Sequence, residues 1–225
     1  MKFIERTLLL RFYYNRSDAE QVLILCILFS TGLTAIRVAC TGSLLFVFLI
    51  WNLFLACIPY FISSHMTTYV KGRPKWKFFL LAFAWLIFVP NAFYILTDLF
   101  HLTESEIVPL WYDLALILSF AWTGILFGIL SVRQMEKLFE SYFNKKFDLL
   151  FILPVMFLNG LGVYVGRYLR FNSWDVITNP LQLTNDMIYL FIHPLRNRLN
   201  WSMIFCYTLL LTLIYFTIKK LSKAL

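Results

Sequence analysis

Charged side chains are scarce in this sequence, where they account for 14% of 225 residues. Soluble domains carry about a quarter charged residues, so this balance excludes a protein that faces water on all sides. Hydrophobic residues make up 60% of the chain and include 24 phenylalanines, which suits lipid-facing surfaces. Since a helix needs about 20 apolar residues to cross the hydrocarbon layer, the chain has room for roughly six spans and for no separate soluble domain.

Several motifs that carry chemistry are also missing. The four cysteines form no CxxC pair, so the sequence offers no support for a disulfide framework or a thiolate metal site. It has no Walker motif, GxSxG elbow, HExxH or glycine-rich dinucleotide loop, which leaves ATP-driven and NAD-dependent chemistry without support. The basic residues behind the net charge of +8 lie in short clusters between apolar runs. This distribution is typical of helix ends that contact anionic lipid, so we expect no nucleic-acid partner.

The apolar runs predict an all-α, polytopic membrane protein. Residues 1–19 read as a cytoplasmic interfacial amphipathic segment, and residues 20–225 form a single transmembrane domain. We predict spans at about 20–39, from the turn at Gly42 to about Ser63, and at 76–98, 113–133, 148–167 and 201–218. Arg37, near the end of the first span, is expected to extend to the headgroups. Residues 171–198 are too polar to span, but 181–192 favour a short interfacial or re-entrant helix on the outer side.

Two glycine pairs are expected to bring helices together. Gly124 and Gly128, like Gly162 and Gly166, follow the small-xxx-small spacing that lets neighbouring helices approach closely. This packing role is favoured over a ligand role for these four residues.

The distribution of basic residues predicts the orientation. With a cytoplasmic N-terminus and six spans, every lysine falls on the cytoplasmic side. This is the positive-inside pattern, so we expect both termini in the cytoplasm of a cell-membrane protein. The opposite face receives five arginines, which are Arg37, Arg167, Arg170, Arg196 and Arg198.

The outer face also collects the residues that are hardest to explain as span or anchor. At the end of the third span, Asn91, Tyr94, Asp98 and His101 fall within an arc of about 80° on a helix, just after a helix-kinking Pro90. The fourth span opens with Asp113, and the fifth ends in a polar stretch that contains Arg167, Arg170, Asn172, Trp174 and Asp175. Three chain segments thus bring candidate site residues to one membrane level.

These residues admit competing interpretations. Asp98 and His101 could ligate a divalent metal with Asp113 or His193, or could be an ordinary interfacial pair. The two arginines could clamp a phosphate, or could pair with Asp98, Asp113 or Asp175 as a structural network. Asp175 could transfer protons or simply form a turn.

Three segments carry a family resemblance: PNAFYILTDLFHL (90–102), the segment that begins WYDLALILSFAW (111–122), and GVYVGRYLRFNSWDVITNP (162–180). Together they resemble the bacterial membrane family called domain of unknown function 1361, over roughly residues 45–215. The resemblance implies a multi-span bacterial membrane protein and assigns no reaction, substrate or cofactor.

Three functions remain open at this stage. The first is an extracytoplasmic protein that binds or modifies a phosphorylated or lipid-linked substrate, with Arg167 and Arg170 on the phosphate and with Asn91, Tyr94, Asn172 and Trp174 as further ligand contacts. In this hypothesis Asp98, His101, Asp113 and Asp175 supply metal ligands or proton-transfer groups, and membrane lipids surround the site. The second is a transporter or flippase, which the small number of ionisable residues at span centres disfavours. The third is a non-catalytic membrane assembly protein.

Overall fold

The computed structural model describes residues 13–69, 75–103, 107–143 and 148–224, and this part of the chain is helical, without strands. Within it, six helices are long and apolar enough to cross a membrane, which confirms the predicted all-α polytopic fold. They are α1 (Asp18–Thr41), α2 (Phe48–Tyr69), α3 (Lys75–Tyr94), α4 (Leu110–Phe143), α5 (Asp148–Arg167) and α8 (Arg198–Ala224). A 3₁₀ helix (Ile95–His101) continues α3 to the end of its span. Two short helices, α6 (Asp175–Thr178) and α7 (Pro180–Ile192), separate α5 from α8.

Capping residues fix both ends of α1. The Ser17 hydroxyl accepts a hydrogen bond from the Glu20 backbone N–H at 3.4 Å, and the Glu20 carboxylate accepts one from the Ser17 N–H at 3.1 Å. This capping box starts the helix two residues before the predicted boundary. At the other end, Gly42 has φ +66° and its N–H donates to the Val38 carbonyl, the left-handed turn that glycine adopts without strain. Residues 1–12 of the predicted interfacial segment lie outside the described residues.

Helix α4 is the most buried of the six and the centre of the bundle. Helices α1, α2 and α3 pack against it, while α5 packs against α3 and α8. Its 34 residues extend ten positions beyond the predicted end at residue 133. At ~1.5 Å per residue it is about 50 Å long, more than the roughly 30 Å of hydrocarbon that it crosses.

The extra length of α4 serves an internal ion pair that the sequence does not reveal. Glu136, only 3% exposed, accepts hydrogen bonds from Lys219 Nζ at 2.7 Å and from the Tyr215 hydroxyl at 2.6 Å, both on α8. A carboxylate at this position needs such partners because an unpaired buried charge is strongly destabilising. The polar residues after 133 therefore belong to the bundle, where the sequence suggested a connection.

Both glycine pairs lie at close helix contacts, as predicted. A Cβ added at Gly124 would lie 2.8 Å from the Ala92 carbonyl oxygen, and one at Gly128 would lie 2.7 Å from the Phe93 ring. On α5, a Cβ at Gly162 would lie 2.5 Å from Pro90 Cβ, and one at Gly166 would lie 3.0 Å from the Tyr94 ring. Helix α3 is thus held between α4 and α5 by contacts that only glycine permits.

We expect Gly124→Ala to destabilise the protein, since its methyl group would overlap a backbone carbonyl that cannot rotate away. Overpacking of this kind costs about 1–3 kcal/mol, measurable as a lower thermal unfolding midpoint in detergent. Gly32→Ala is the matched control, because a Cβ there meets nothing within 4 Å. Since alanine favours helix over glycine, the control should unfold at the same or a higher temperature, and equal losses in both variants would contradict the packing role.

Candidate functional site

Polar residues converge at the end of the bundle where α1, α3 and α5 finish and α2, α4 and α8 begin, here called the polar end. The change from α-helix to 3₁₀ helix at Ile95 shapes this region. Because side chains three residues apart eclipse one another in a 3₁₀ helix, Asp98 and His101 lie on one face. This local geometry replaces the regular α-helical stripe that the sequence predicted from Asn91 to His101.

The chain turns sharply after α5. Arg170 has φ +60°, the left-handed conformation that a side chain makes unfavourable, and the Phe171 N–H donates to the Val165 carbonyl across the turn. Ser173 then fixes the following segment to α3, because its hydroxyl donates to the Ile87 carbonyl at 3.2 Å and accepts from the Asn91 amide at 2.7 Å. The polar stretch after α5 is therefore held over the end of α3.

These elements enclose a cavity of about 480 Å³ at the polar end. Two guanidinium groups, an imidazole, a phenol and three amide side chains reach its wall. The lining residues are Asn52, Leu55, Asn91, Tyr94, His101, Gly166, Arg167, Arg170, Phe171 and Asn172. Hydrogen-bond donors and two cations thus face one space, an arrangement suited to an anion.

Asp98 lies behind this wall and positions part of it. Its carboxyl is 1% exposed, accepts a hydrogen bond from the Asn52 amide at 2.8 Å and lies 4.0 Å from Arg167 Nη1. The guanidinium of Arg167 also stacks on Phe100, with Cζ 5.2 Å from the ring centroid. Arg167 is therefore held in place by a carboxyl and an aromatic face.

The contact between His101 and Arg167 defines the state of the imidazole. His101 Nε2 lies 3.0 Å from Arg167 Nη1. Arginine can only donate, so Nε2 accepts and the ring proton resides on Nδ1. The Phe48 ring packs against the same imidazole in a T-shaped arrangement, with centroids 5.4 Å apart. His101 thus offers the cavity a neutral ring whose Nε2 lone pair is engaged by an arginine.

Arg170 differs from Arg167 in having no such restraint. Within the described residues it forms no salt bridge and donates no side-chain hydrogen bond, although it lines the cavity. Its backbone also occupies a strained conformation. Arg170 thus places an exposed cation on the cavity wall at a strained turn.

Asp113, a predicted site residue, is engaged elsewhere. Both of its oxygens accept hydrogen bonds from Arg37, from Nε at 2.7 Å and from Nη2 at 3.0 Å, and both side chains are at most 4% exposed. The Phe46 ring covers this guanidinium, with Cζ 4.6 Å from its centroid. The expectation that Arg37 extends to the headgroups is wrong, because pairing with Asp113 keeps it inside the bundle. Among the described residues, Asp113 is not part of the cavity wall.

Asp175 forms a turn. Its Oδ2 accepts from the Asn172 backbone N–H at 2.6 Å, and its Oδ1 accepts from the Thr178 hydroxyl at 2.9 Å. These hydrogen bonds, led by the one from the Asn172 backbone, lower the pKa of Asp175 below its ordinary value, so the group stays ionised near neutral pH. Trp174 precedes α6 and, like Asp175, is absent from the described cavity wall.

The donor set at the polar end does not fit the divalent-metal hypothesis. Asp98 faces Asn52 and Arg167, and Nε2 of His101 faces Arg167 as well. The guanidinium thus occupies the position that a metal cation would take and would repel it. Across the described ranges, no three His, Cys, Asp or Glu side chains come together as a metal site. His193 instead packs against the Tyr189 ring in a tilted arrangement, and its Nδ1 lies 3.3 Å from the Tyr189 carbonyl oxygen.

Asn52 is a polar residue of the cavity wall that sequence reasoning missed. It reaches Asp98 and the cavity from α2, a helix whose sequence reads as a plain apolar span. The available signal was its isolation, since a lone amide within an apolar run needs a polar partner in the same bundle.

A known family matches most of the chain. The family described as "Protein of unknown function (DUF1361)" matches residues 51–214. The chain belongs to this family. The matched range includes most of α2, all of α3 to α5 and most of α8, and it contains every residue that lines the cavity. No curated protein and no solved structure matches the chain.

The Arg37–Asp113 pair should be structural. We expect Arg37→Gln to leave a buried carboxylate unpaired and to lower stability by about 3–5 kcal/mol, seen as a large fall in the unfolding midpoint. The double variant Arg37→Met with Asp113→Leu should regain most of that loss, because it removes both charges together.

Arg16→Gln is the control for this pair, since Arg16 lies 3.7 Å from Glu20 in a much more exposed contact. Exposed pairs contribute about 0–1 kcal/mol, so the control should change the midpoint little. A mild single variant, or a double variant no better than Arg37→Gln, would refute a paired, structural role.

Proposed function

We propose that the cavity at the polar end binds a phosphorylated, anionic ligand from the extracytoplasmic side of the cell membrane, as a phosphate-bearing or lipid-linked substrate. The observation that carries this proposal is the pair of arginines on one cavity wall, of which Arg170 has no carboxylate partner among the described residues. A guanidinium presents a planar set of donors that matches phosphate oxygens in pairs. The amides of Asn52, Asn91 and Asn172 add neutral donors around it.

The two arginines have different parts in this proposal. Arg167 is fixed by Asp98 and Phe100, so it provides an oriented cation without rearrangement. Arg170 is exposed and free to reach the ligand. Preorganisation of one donor reduces the entropy lost on binding, while the second adds a charge that no described carboxylate neutralises.

If the ligand is also modified, His101 is the group best placed for proton transfer. It lines the cavity as a neutral imidazole, whereas Asp113 is paired with Arg37 and Asp175 accepts turn hydrogen bonds. An anion that competes for the donors of Arg167 would release Nε2 of His101 to act as a base. Asp98 would then act as a positioning residue for Arg167.

The extracytoplasmic location follows from the lysine distribution. The described chain at the polar end holds arginines and no lysine, while Lys75, Lys77, Lys137, Lys219 and Lys220 lie at the opposite end. Positive-inside orientation would place the cavity outside and both termini in the cytoplasm.

We expect Arg170→Gln to weaken binding of glycerol 3-phosphate by about 10- to 100-fold, since a hydrogen bond to a charged group contributes about 1.5–3 kcal/mol. The measurement is the ligand-induced rise of the unfolding midpoint in detergent, titrated to an apparent Kd. Arg196→Gln is the matched control, because it removes the same charge from an exposed arginine at the polar end, outside the cavity wall.

Arg170→Gly tests folding separately. Glycine adopts φ near +60° freely, so this variant should keep or raise the ligand-free midpoint while it loses phosphate binding. A structural role for the Arg170 side chain predicts the opposite, a destabilised glycine variant. Unchanged affinity in Arg170→Gln, or an equal loss in Arg196→Gln, would rule out the proposed site.

The orientation is tested by labelling in cells. In a variant that lacks the four native cysteines, Ile177→Cys should react with a membrane-impermeant maleimide in intact cells, since Ile177 is 83% exposed beside the polar end. Ser141→Cys, exposed near the end of α4, should react only after permeabilisation. The reverse pattern would place the cavity in the cytoplasm.

A further inference from the structure

An apolar groove of about 230 Å³ lies directly beside the polar cavity. Helices α3 and α5 form one wall of the groove, and the segment from α6 to α7 forms the opposite wall. Its apolar lining includes Leu86, Pro90, Leu158, Val165, Leu183 and Met187. The first four of these lie within membrane spans, so the groove is at the depth of lipid chains.

The groove and the cavity share part of their lining. Five residues line both of them: Asn91, Tyr94, Gly166, Phe171 and Asn172. The Tyr94 ring packs against Gly166 so closely that a Cβ there would lie 3.0 Å from its edge. Arginines and amides thus lie on one side of this shared wall, and aliphatic side chains lie on the other.

We propose that the ligand of the cavity is a phosphate-bearing lipid whose hydrocarbon chain lies in this groove. The inference rests on the proposed function, because the cationic cavity is the part that would bind the anionic headgroup. The adjoining apolar groove would hold the hydrocarbon chain. A ligand with a charged head and an apolar tail therefore complements both the cavity and the groove. A soluble phosphate compound would leave the groove without an occupant.

The groove should act on selectivity more than on affinity. Lipid tails are as apolar as leucine side chains, so a chain gains little hydrophobic energy when it leaves the bilayer for the groove. The groove instead restricts the orientation of a chain-bearing ligand, because its phosphate reaches Arg167 and Arg170 only if the first chain carbons fit beside Tyr94. Filling the groove should therefore exclude chain-bearing ligands by steric overlap and spare soluble ones.

The test compares two probes with the same phosphate monoester, phosphatidic acid and glycerol 3-phosphate. Leu158→Trp fills the groove, and Leu153→Trp on the same helix is the matched control, since both leucines are 38% exposed and only Leu158 lines the groove. Apparent Kd values come from ligand-induced shifts of the unfolding midpoint in detergent. We expect Leu158→Trp to weaken phosphatidic acid at least tenfold and to leave glycerol 3-phosphate unchanged, with Leu153→Trp like the natural protein for both probes.

Each other outcome counts against the inference in a distinguishable way. If Leu158→Trp binds both probes as tightly as the natural protein does, the groove assignment is overturned and the proposed function still stands. Failure of the natural protein to bind either probe overturns both. An equal loss of phosphatidic acid in Leu153→Trp shows a nonspecific effect and overturns the groove. If Leu158→Trp misfolds or weakens both probes, Leu183→Trp on the opposite wall decides, and a second loss without selectivity overturns the groove.

Discussion

The structure depends on one constraint, which is that hydrocarbon offers a buried charge no water. Each deeply buried charged side chain described here therefore has a polar partner on another helix. Arg37 meets Asp113 at 2.7 Å between α1 and α4, and Lys219 meets Glu136 at 2.7 Å between α8 and α4. Both contacts involve α4, so the charge pairs also tie the outer helices to the centre of the bundle. Arg170 is exposed and so is not subject to this constraint, and among the described residues its guanidinium has no carboxylate partner.

The position of the site follows from how closely helices approach α3. Gly162 lets α5 contact Pro90, and Gly124 lets α4 contact Ala92, so the end of α3 is enclosed on two sides. The backbone then tightens into a 3₁₀ helix, which directs Asp98 and His101 to one face. Ser173 closes the third side through its hydrogen bond with Asn91. Packing thus creates a cavity where polar residues from three segments meet.

Hydropathy and spacing predicted much of this fold because spans and small-residue contacts are local properties of the chain. The six spans, the turn at Gly42 and both glycine pairs could be read directly. Pairing between distant helices could not, since nothing in the apolar run around Arg37 identifies Asp113 as its partner. The same limit hid Asn52, whose role depends on a carboxyl 46 residues away. The end of α4 was missed because Glu136 looks like a surface residue until α8 covers it.

The fold itself does not account for an arginine at position 170. Glycine would close the same left-handed turn without the roughly 1–2 kcal/mol that a side chain costs in this conformation. The turn persists because Phe171 bonds back to Val165 and Ser173 anchors the next residues on α3. What the arginine adds is a guanidinium on the cavity wall, next to the one that Asp98 already holds in place. The proposed anion site rests on this combination of a strained backbone and a cation that no described carboxylate neutralises.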